Sequence, residues 1–64
     1  MDKQIKSTVM YMRDARSCLE QAALSLQEVK PHNFEPTIKE IKETIGDLSC
    51  SIAVLQDFLG ASDK

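Results

Sequence analysis

The stretch that decides the fold runs from Thr37 to Leu59 and reads TIKEIKETIGDLSCSIAVLQDFL. Its large apolar side chains recur at alternating steps of three and four residues, which is the heptad pattern of a helix with one narrow apolar stripe. The a positions are Ile38, Ile45, Ile52 and Leu59, and the d positions are Ile41, Leu48 and Leu55. A stripe of this length predicts a second apolar helix of similar length to cover it.

The segment before Pro31 supplies that second helix. It contains neither Gly nor Pro, and Asp2 suits a helix N-terminus. The same alternation places large residues at a (Ile5, Met12, Leu19, Leu26) and mostly small ones at d (Thr8, Ala15, Ala22). Small d residues leave room for the Ile and Leu side chains of the facing helix.

The connection VKPHNFEPT, residues 29–37, predicts a short turn. Pro31 disfavours helical geometry at the residue before it, and Asn33 or Thr37 can cap the next helix. A turn this short makes the helices antiparallel. We therefore predict an all-α, single-domain chain (1–64) that forms an antiparallel helical hairpin, with helices at about 3–29 and 35–59 and a turn at 30–34. Gly60 is expected just past the end of the second helix. Residues that face each other across the hairpin should have numbers that sum to about 64.

The predicted core seam leaves further apolar residues uncovered. The seam consists of Ile5, Met12, Leu19, Leu26, Ile38, Ile41, Ile45, Leu48, Ile52, Leu55 and Leu59. The candidate interface, off that seam, consists of Val9, Met10, Ala23, Leu24, Cys50, Ala53, Val54 and Phe58. Because a chain of 64 residues buries little surface by itself, we expect two hairpins to form a homodimeric four-helix bundle, with another helical protein as the alternative partner. Gly46 fits either a tolerated defect or close approach by a second chain.

Catalytic and metal-binding patterns are missing from the sequence. There is no phosphate-binding Gly-rich loop, no CxxC and no HExxH, and His32 falls in the predicted turn. The acidic residues of the second helix alternate with lysines, as on a solvated helix face. We expect no enzyme activity, no cofactor and no metal. No apolar run is long enough for a membrane span or a secretory signal, so we expect a cytoplasmic protein with Cys18 and Cys50 as thiols or, alternatively, joined in an inter-chain disulfide.

The charge balance argues against a dedicated nucleic-acid binder. The net charge is −2, with five basic and four acidic residues in 1–30 and three basic and six acidic residues in 31–64. The alternative is nonetheless open, because Lys3, Lys6, Arg13 and Arg16 cluster on the first half of the first helix, where phosphates can lie along them.

Two resemblances to known families add to these expectations. The opening MDKQIK, with Arg13, Arg16 and Ser17, resembles the N-terminus of the Rop family of plasmid copy-number regulators. That family forms dimers of helical hairpins and binds an RNA loop–loop complex. The resemblance implies the four-helix architecture. The positions that correspond to the RNA-contacting face are Met10, Asp14, Cys18 and Ser25. Because Asp14 would repel phosphate, the resemblance does not imply RNA binding.

The second resemblance is to a family of short two-helix proteins from spore-forming bacteria. It is carried by IKSTVMYMRDARSCLEQAALSLQ, with matching residues at Lys6, Thr8, Ala15, Leu19, Glu20, Gln21, Ala23, Leu24 and Gln27, and it spans about residues 5–56. It implies a bacterial cytoplasmic or spore-associated protein and no particular activity. Taken together, the sequence predicts a small interaction or structural protein that acts through helix surfaces.

Overall fold

The computed structural model describes residues 2–29 and 34–62, without the side chain of Ser62. Within these ranges the chain forms two α-helices and no strand: α1 is Asp2–Gln27 and α2 is Glu35–Ser62. The prediction of an all-α hairpin is confirmed, and the helix ends differ from the predicted ones by a few residues.

The end of α1 comes two residues earlier than predicted. The Glu28 N–H donates to the Ser25 carbonyl at 3.3 Å and the Val29 N–H to the Leu26 carbonyl at 3.2 Å. These bonds span three residues instead of four, which is the tightened geometry of a last helical turn. Glu28 and Val29 therefore already belong to the connection, shortly before Pro31 blocks any continuation.

The start of α2 agrees with the predicted boundary, but the cap differs. The Phe34 carbonyl accepts the first intrahelical bond, from the Ile38 N–H at 2.9 Å, so Phe34 occupies the N-cap position. Pro36 follows within the first turn, where its missing N–H costs nothing. Thr37 lies inside the helix, so the prediction that Thr37 can cap it is wrong. The predicted cap Asn33 and the turn residues 30–33 lie outside the described residues.

The far end of α2 extends beyond Gly60, which was predicted to end it. The helix includes Gly60 and Ala61 and ends at Ser62. Gly60 has no positive φ, and a Cβ built on it meets no atom within 4 Å. Gly favours a helix end only where the chain turns into left-handed geometry, and here the backbone keeps right-handed helical geometry through this residue.

The two helices lie side by side and antiparallel, forming one layer 53 Å long and 15 × 12 Å in cross-section. A hydrogen bond from Arg16 Nη1 to Ser49 Oγ joins them at 3.0 Å. The numbers of these two residues sum to 65, within one residue of the predicted register. A single layer of two helices has an inner seam and two broad faces, and those faces hold the candidate functional surfaces.

Candidate functional site

The inner seam collects the large apolar side chains of both helices. All of the predicted seam residues are buried or half-buried: Ile5, Met12, Leu19, Leu26, Ile38, Ile41, Ile45, Leu48, Ile52, Leu55 and Leu59. Ile52 is the most enclosed of them, at 3% exposure. Among residues 2–29 and 34–61, Val9, Ala23 and Ile52 are the buried apolar residues. Two helices thus cover their seam without burying most of it completely.

Val9 and Ala23 belong to this seam, although the sequence analysis placed them in the candidate interface. They are 6% and 5% exposed, whereas Thr8, Ala15 and Ala22, the expected d residues, are exposed. Residues three and four positions after Ile5, Met12 and Leu19 lie on either side of the same helix face, so periodicity alone allows both choices. Within the hairpin, Val9 and Ala23 are covered by α2 and do not offer a free surface.

Arg16 occupies the middle position of the same series, between Val9 and Ala23. Its side chain is half-buried and its guanidinium donates to the half-buried Ser49 hydroxyl at 3.0 Å. A long aliphatic stem lets Arg pack along apolar surface while its charged end reaches a polar partner. The sequence analysis treated Arg16 as a surface cation. The signal that could have shown its burial is Ser49, a small hydroxyl residue at the facing position.

The remaining predicted interface residues do not form one patch. Met10 and Leu24 are exposed by 65% and 53%, and Val54 and Phe58 by 66% and 50%. Cys50 and Ala53 are also exposed. These residues are divided between the two broad faces of the hairpin and the outward side of α2.

The first face is identified by a groove between the helices near the turn. One lobe has a volume of about 470 Å³, and the second, of about 280 Å³, shares Gln27 and Lys42 with it. Glu20 and Leu24 of α1 and Lys39 of α2 also line the groove, so all of these residues share one face. Steps of seven residues along each helix extend the same face to Arg13, Lys6, Met10 and Lys3 on α1 and to Ala53 on α2.

We call this surface the basic face. It carries five of the eight Lys and Arg side chains, Lys3, Lys6, Arg13, Lys39 and Lys42. Among the described residues its carboxylates are Glu20 and Glu35. Of the four cations proposed for nucleic-acid contact, Lys3, Lys6 and Arg13 are exposed on this face, while Arg16 turns into the seam towards Ser49.

The opposite broad surface of the hairpin lies across the seam from the basic face, and we call it the neutral face. It comprises Thr8, Tyr11, Ala15, Cys18 and Ala22 of α1 and Thr44, Ser51, Val54 and Phe58 of α2. All of these residues are exposed, Tyr11 by 75%. Glu40 and Asp47 precede Val54 at steps of seven, so they lie in the same outer row of this face, on the turn half of α2. The described residues between that row and the seam are uncharged.

The reactive side chains show no constellation for chemistry in the described part of the chain. Cys18 and Cys50 are exposed thiols and are not joined to each other. No three His, Cys, Asp or Glu side chains among the described residues come together as metal ligands would. His32 lies outside the described residues. Neither α1 nor α2 has an apolar stretch that could cross a lipid bilayer.

Comparisons of the chain with protein-family models, with curated proteins and with solved structures give no significant match. The case for function therefore rests on the basic face, the neutral face and the groove.

Proposed function

We propose that this chain is a non-enzymatic assembly protein, in which two hairpins associate through their neutral faces into a four-helix bundle that presents helix surfaces to other macromolecules. The observation that carries the proposal is the neutral face itself. A surface of small, hydroxyl and apolar side chains that adjoins the seam of a small helical hairpin can be covered by a second copy, with the carboxylates of Glu40 and Asp47 at the rim of the contact.

The exposed surface of the hairpin supports association. Its accessible area is 5077 Å², whereas a compact monomer of 7.2 kDa exposes about 4,100 Å². The excess of about 1,000 Å² is comparable to the roughly 800 Å² that each partner contributes to a stable interface of standard size. A second hairpin would therefore bring the exposed area per chain into the range of ordinary folded proteins.

The polar groups of the neutral face are partly satisfied within the hairpin. The Thr8 hydroxyl donates to the Gln4 carbonyl at 2.8 Å, and the Thr44 hydroxyl donates to the Glu40 carbonyl at 2.9 Å. Burying a hydroxyl that has no partner costs on the order of 1–3 kcal/mol. Because both hydroxyls already donate within their own helix, a second chain can cover them at a smaller desolvation cost.

Large side chains are available to anchor such a contact. Tyr11 and Val54 have numbers that sum to 65, as do Arg16 and Ser49, so the register places them at the same height on the two helices. Phe58 lies one helical turn further along α2. Ala15 and Ala22 lie nearer the turn, where small side chains allow a facing backbone to approach closely. The bulky and small halves of the face can thus interdigitate in an antiparallel pair.

The test is the oligomeric state of two matched variants, measured by sedimentation equilibrium at micromolar concentration. Ala22→Glu places a carboxylate on the neutral face at an exposed position, so the hairpin can still form. Gln21→Glu adds the same charge at the neighbouring residue, on the back of α1. We expect the wild type and Gln21→Glu to be dimers and Ala22→Glu to be monomeric or to dissociate at much higher concentration.

Two results would contradict the proposal. One is a wild-type chain that is helical by circular dichroism and monomeric throughout the micromolar range. The other is a dimer that Ala22→Glu and Gln21→Glu leave equally intact, because the interface would then lie elsewhere.

A further inference from the structure

The groove on the basic face is a feature that dimerisation through the neutral face leaves open. Its floor contains the apolar seam residues Leu26, Ile38 and Ile45 together with Ala23. Ala23 is a small residue between the larger Leu19 and Leu26 of the α1 seam, so the two helices leave a depression beside it. Together the lobes of about 470 and 280 Å³ exceed what one side chain fills.

The shape of the groove fits a helix. Its α1 wall extends from Glu20 to Gln27, which is about 10 Å along the helix axis and about two helical turns, and Val29 of the connection lines its end. It follows the line between two parallel helix axes, where a third helix packs in a helical bundle. An amphipathic helix can insert apolar side chains at successive turns into such a groove.

The charges around the groove indicate which charge the partner helix should carry beside its apolar stripe. Lys39 and Lys42 line it on the α2 side, and Arg13 and Lys6 continue the positive charge along the same face of α1. The lining also holds one carboxylate in each lobe, Glu35 in the larger and Glu20 in the smaller, so the positive excess of the face comes from Lys3, Lys6 and Arg13 beyond the groove. Positive charge of this kind favours partners that carry carboxylates, through both attraction and faster association.

The apolar groups between the cations favour a protein partner over a nucleic acid. Met10 and Leu24 are 65% and 53% exposed on this face, and the groove floor is apolar. A polynucleotide places phosphates against cations and bases against aromatic rings. Tyr11 and Phe58 lie on the neutral face, and Phe34, which lines the larger lobe at its turn end, is the one aromatic ring of the described residues at the basic face.

We propose that the groove on the basic face binds an acidic amphipathic helix of a partner protein, whose apolar side chains fill the two lobes and whose carboxylates lie against Lys39, Lys42 and Arg13. This goes beyond self-assembly and does not depend on it, because the basic and neutral faces lie on opposite sides of the hairpin. A dimer joined by its neutral faces keeps both of its grooves open.

The probe for the test is a fluorescein-labelled helical peptide of about three heptads, with Leu at the core positions and Glu at the flanking ones. A matched peptide carries Lys in place of every Glu. Binding to the full chain is followed by fluorescence anisotropy at physiological ionic strength. We expect the Glu peptide to bind with a micromolar Kd and the Lys peptide to bind at least about tenfold more weakly.

Charge variants locate the site. Lys39→Gln combined with Lys42→Gln removes two positive charges at the groove, and we expect it to weaken binding of the Glu peptide by about fivefold or more. Ser7→Glu combined with Gln21→Glu changes the net charge equally on the back of α1 and should leave the Kd unchanged within about twofold. All four positions are exposed, and circular dichroism checks that both variants remain helical.

The proposal is overturned if the Glu peptide fails to bind, if both peptides bind equally, or if the two double variants weaken binding to the same extent. Short single-stranded and duplex RNAs serve as competitors in the same assay. An RNA that binds the chain more tightly than the Glu peptide, and loses affinity in the Lys39→Gln, Lys42→Gln variant, would assign the basic face to nucleic acid instead. Dimer formation is measured separately, so failure here leaves the assembly proposal intact.

Discussion

Arg16 and Ser49 are joined across the two helices by a hydrogen bond of 3.0 Å from the guanidinium Nη1 to the hydroxyl Oγ. The bond lies at the centre of α1, at a position of the seam where the neighbouring heptads have Val9 and Ala23. A cation at such a position lowers stability relative to an apolar residue, but it specifies which residues face each other, because sliding either helix would leave a half-buried guanidinium without its partner.

A double-mutant cycle measures this contribution. We expect Arg16→Met and Ser49→Ala to show a coupling energy of about 0.5–1.5 kcal/mol in the free energy of unfolding, since the bond is partly buried and involves a charged donor. The exposed residues Arg13 and Ser51 provide the control cycle, which should give no coupling. Urea unfolding of all variants at one protein concentration provides the values. Equal coupling in both cycles would mean that the Arg16 bond does not hold the register.

The burial of Ile52 predicts a large loss of stability on truncation. Ile52 is 3% exposed, and Ile52→Ala should cost about 2–5 kcal/mol through lost burial and the cavity left behind. Gln56→Ala, an exposed position one turn further along α2, should change stability by less than about 0.5 kcal/mol. Thermal and urea unfolding followed by circular dichroism distinguish the two. A small effect at Ile52 would contradict the assigned seam.

The two thiols provide a chemical test of the neutral face. Both are exposed in the hairpin, but Cys18 lies on the neutral face whereas Cys50 lies on the outward side of α2. In a dimer joined by the neutral faces, we expect Cys18 in a Cys50→Ser variant to react with a maleimide several-fold more slowly than Cys50 in a Cys18→Ser variant. Adding Ala22→Glu should remove the difference. Equal reactivity of both thiols in the dimer would exclude Cys18 from the interface.

The surroundings of Gly46 bear on its two possible roles, a tolerated defect or a point of close approach by a second chain. A Cβ added there meets no atom within 4 Å, and the residue is helical without a positive φ. We therefore expect Gly46→Ala to stabilise the chain by about 0.5–1 kcal/mol and to leave its oligomeric state unchanged. The matched change Ala53→Gly, one heptad along, should destabilise it by a similar amount. A dimer that dissociates on Gly46→Ala would move the interface to the basic face.

The hairpin was predictable because its signals are strong and local. Pro31 disfavours a continuous helix, Pro36 suits the first turn of a new one, and the α2 stripe contains a large apolar residue at every expected step from Ile38 to Leu59. On α1 the same pattern was ambiguous. After Ile5, both Thr8 and Val9 can face the partner, and the choice depends on how the second helix packs, which is a tertiary property.

The other features that the sequence analysis missed have separate physical origins. Arg16 was assigned to the surface because cations are mostly exposed, and its burial depends on Ser49, which is 33 residues away in sequence. Gly60 was read as a helix end, although Gly permits left-handed geometry without requiring it. The faces could be drawn only once the α1 seam was known, since shifting that seam by one residue moves Ala15 and Ala22 from its interior to a broad face.

The back-to-back arrangement of the two faces has a consequence for any symmetric pair of these chains. A twofold axis that brings the neutral faces into contact turns the two basic faces outwards in opposite directions. Such a pair would be a bivalent connector, able to bring two acidic helices together across the thickness of one bundle. A partner carrying two such helices would be held far more tightly than either helix alone, provided that its linker reaches around the bundle.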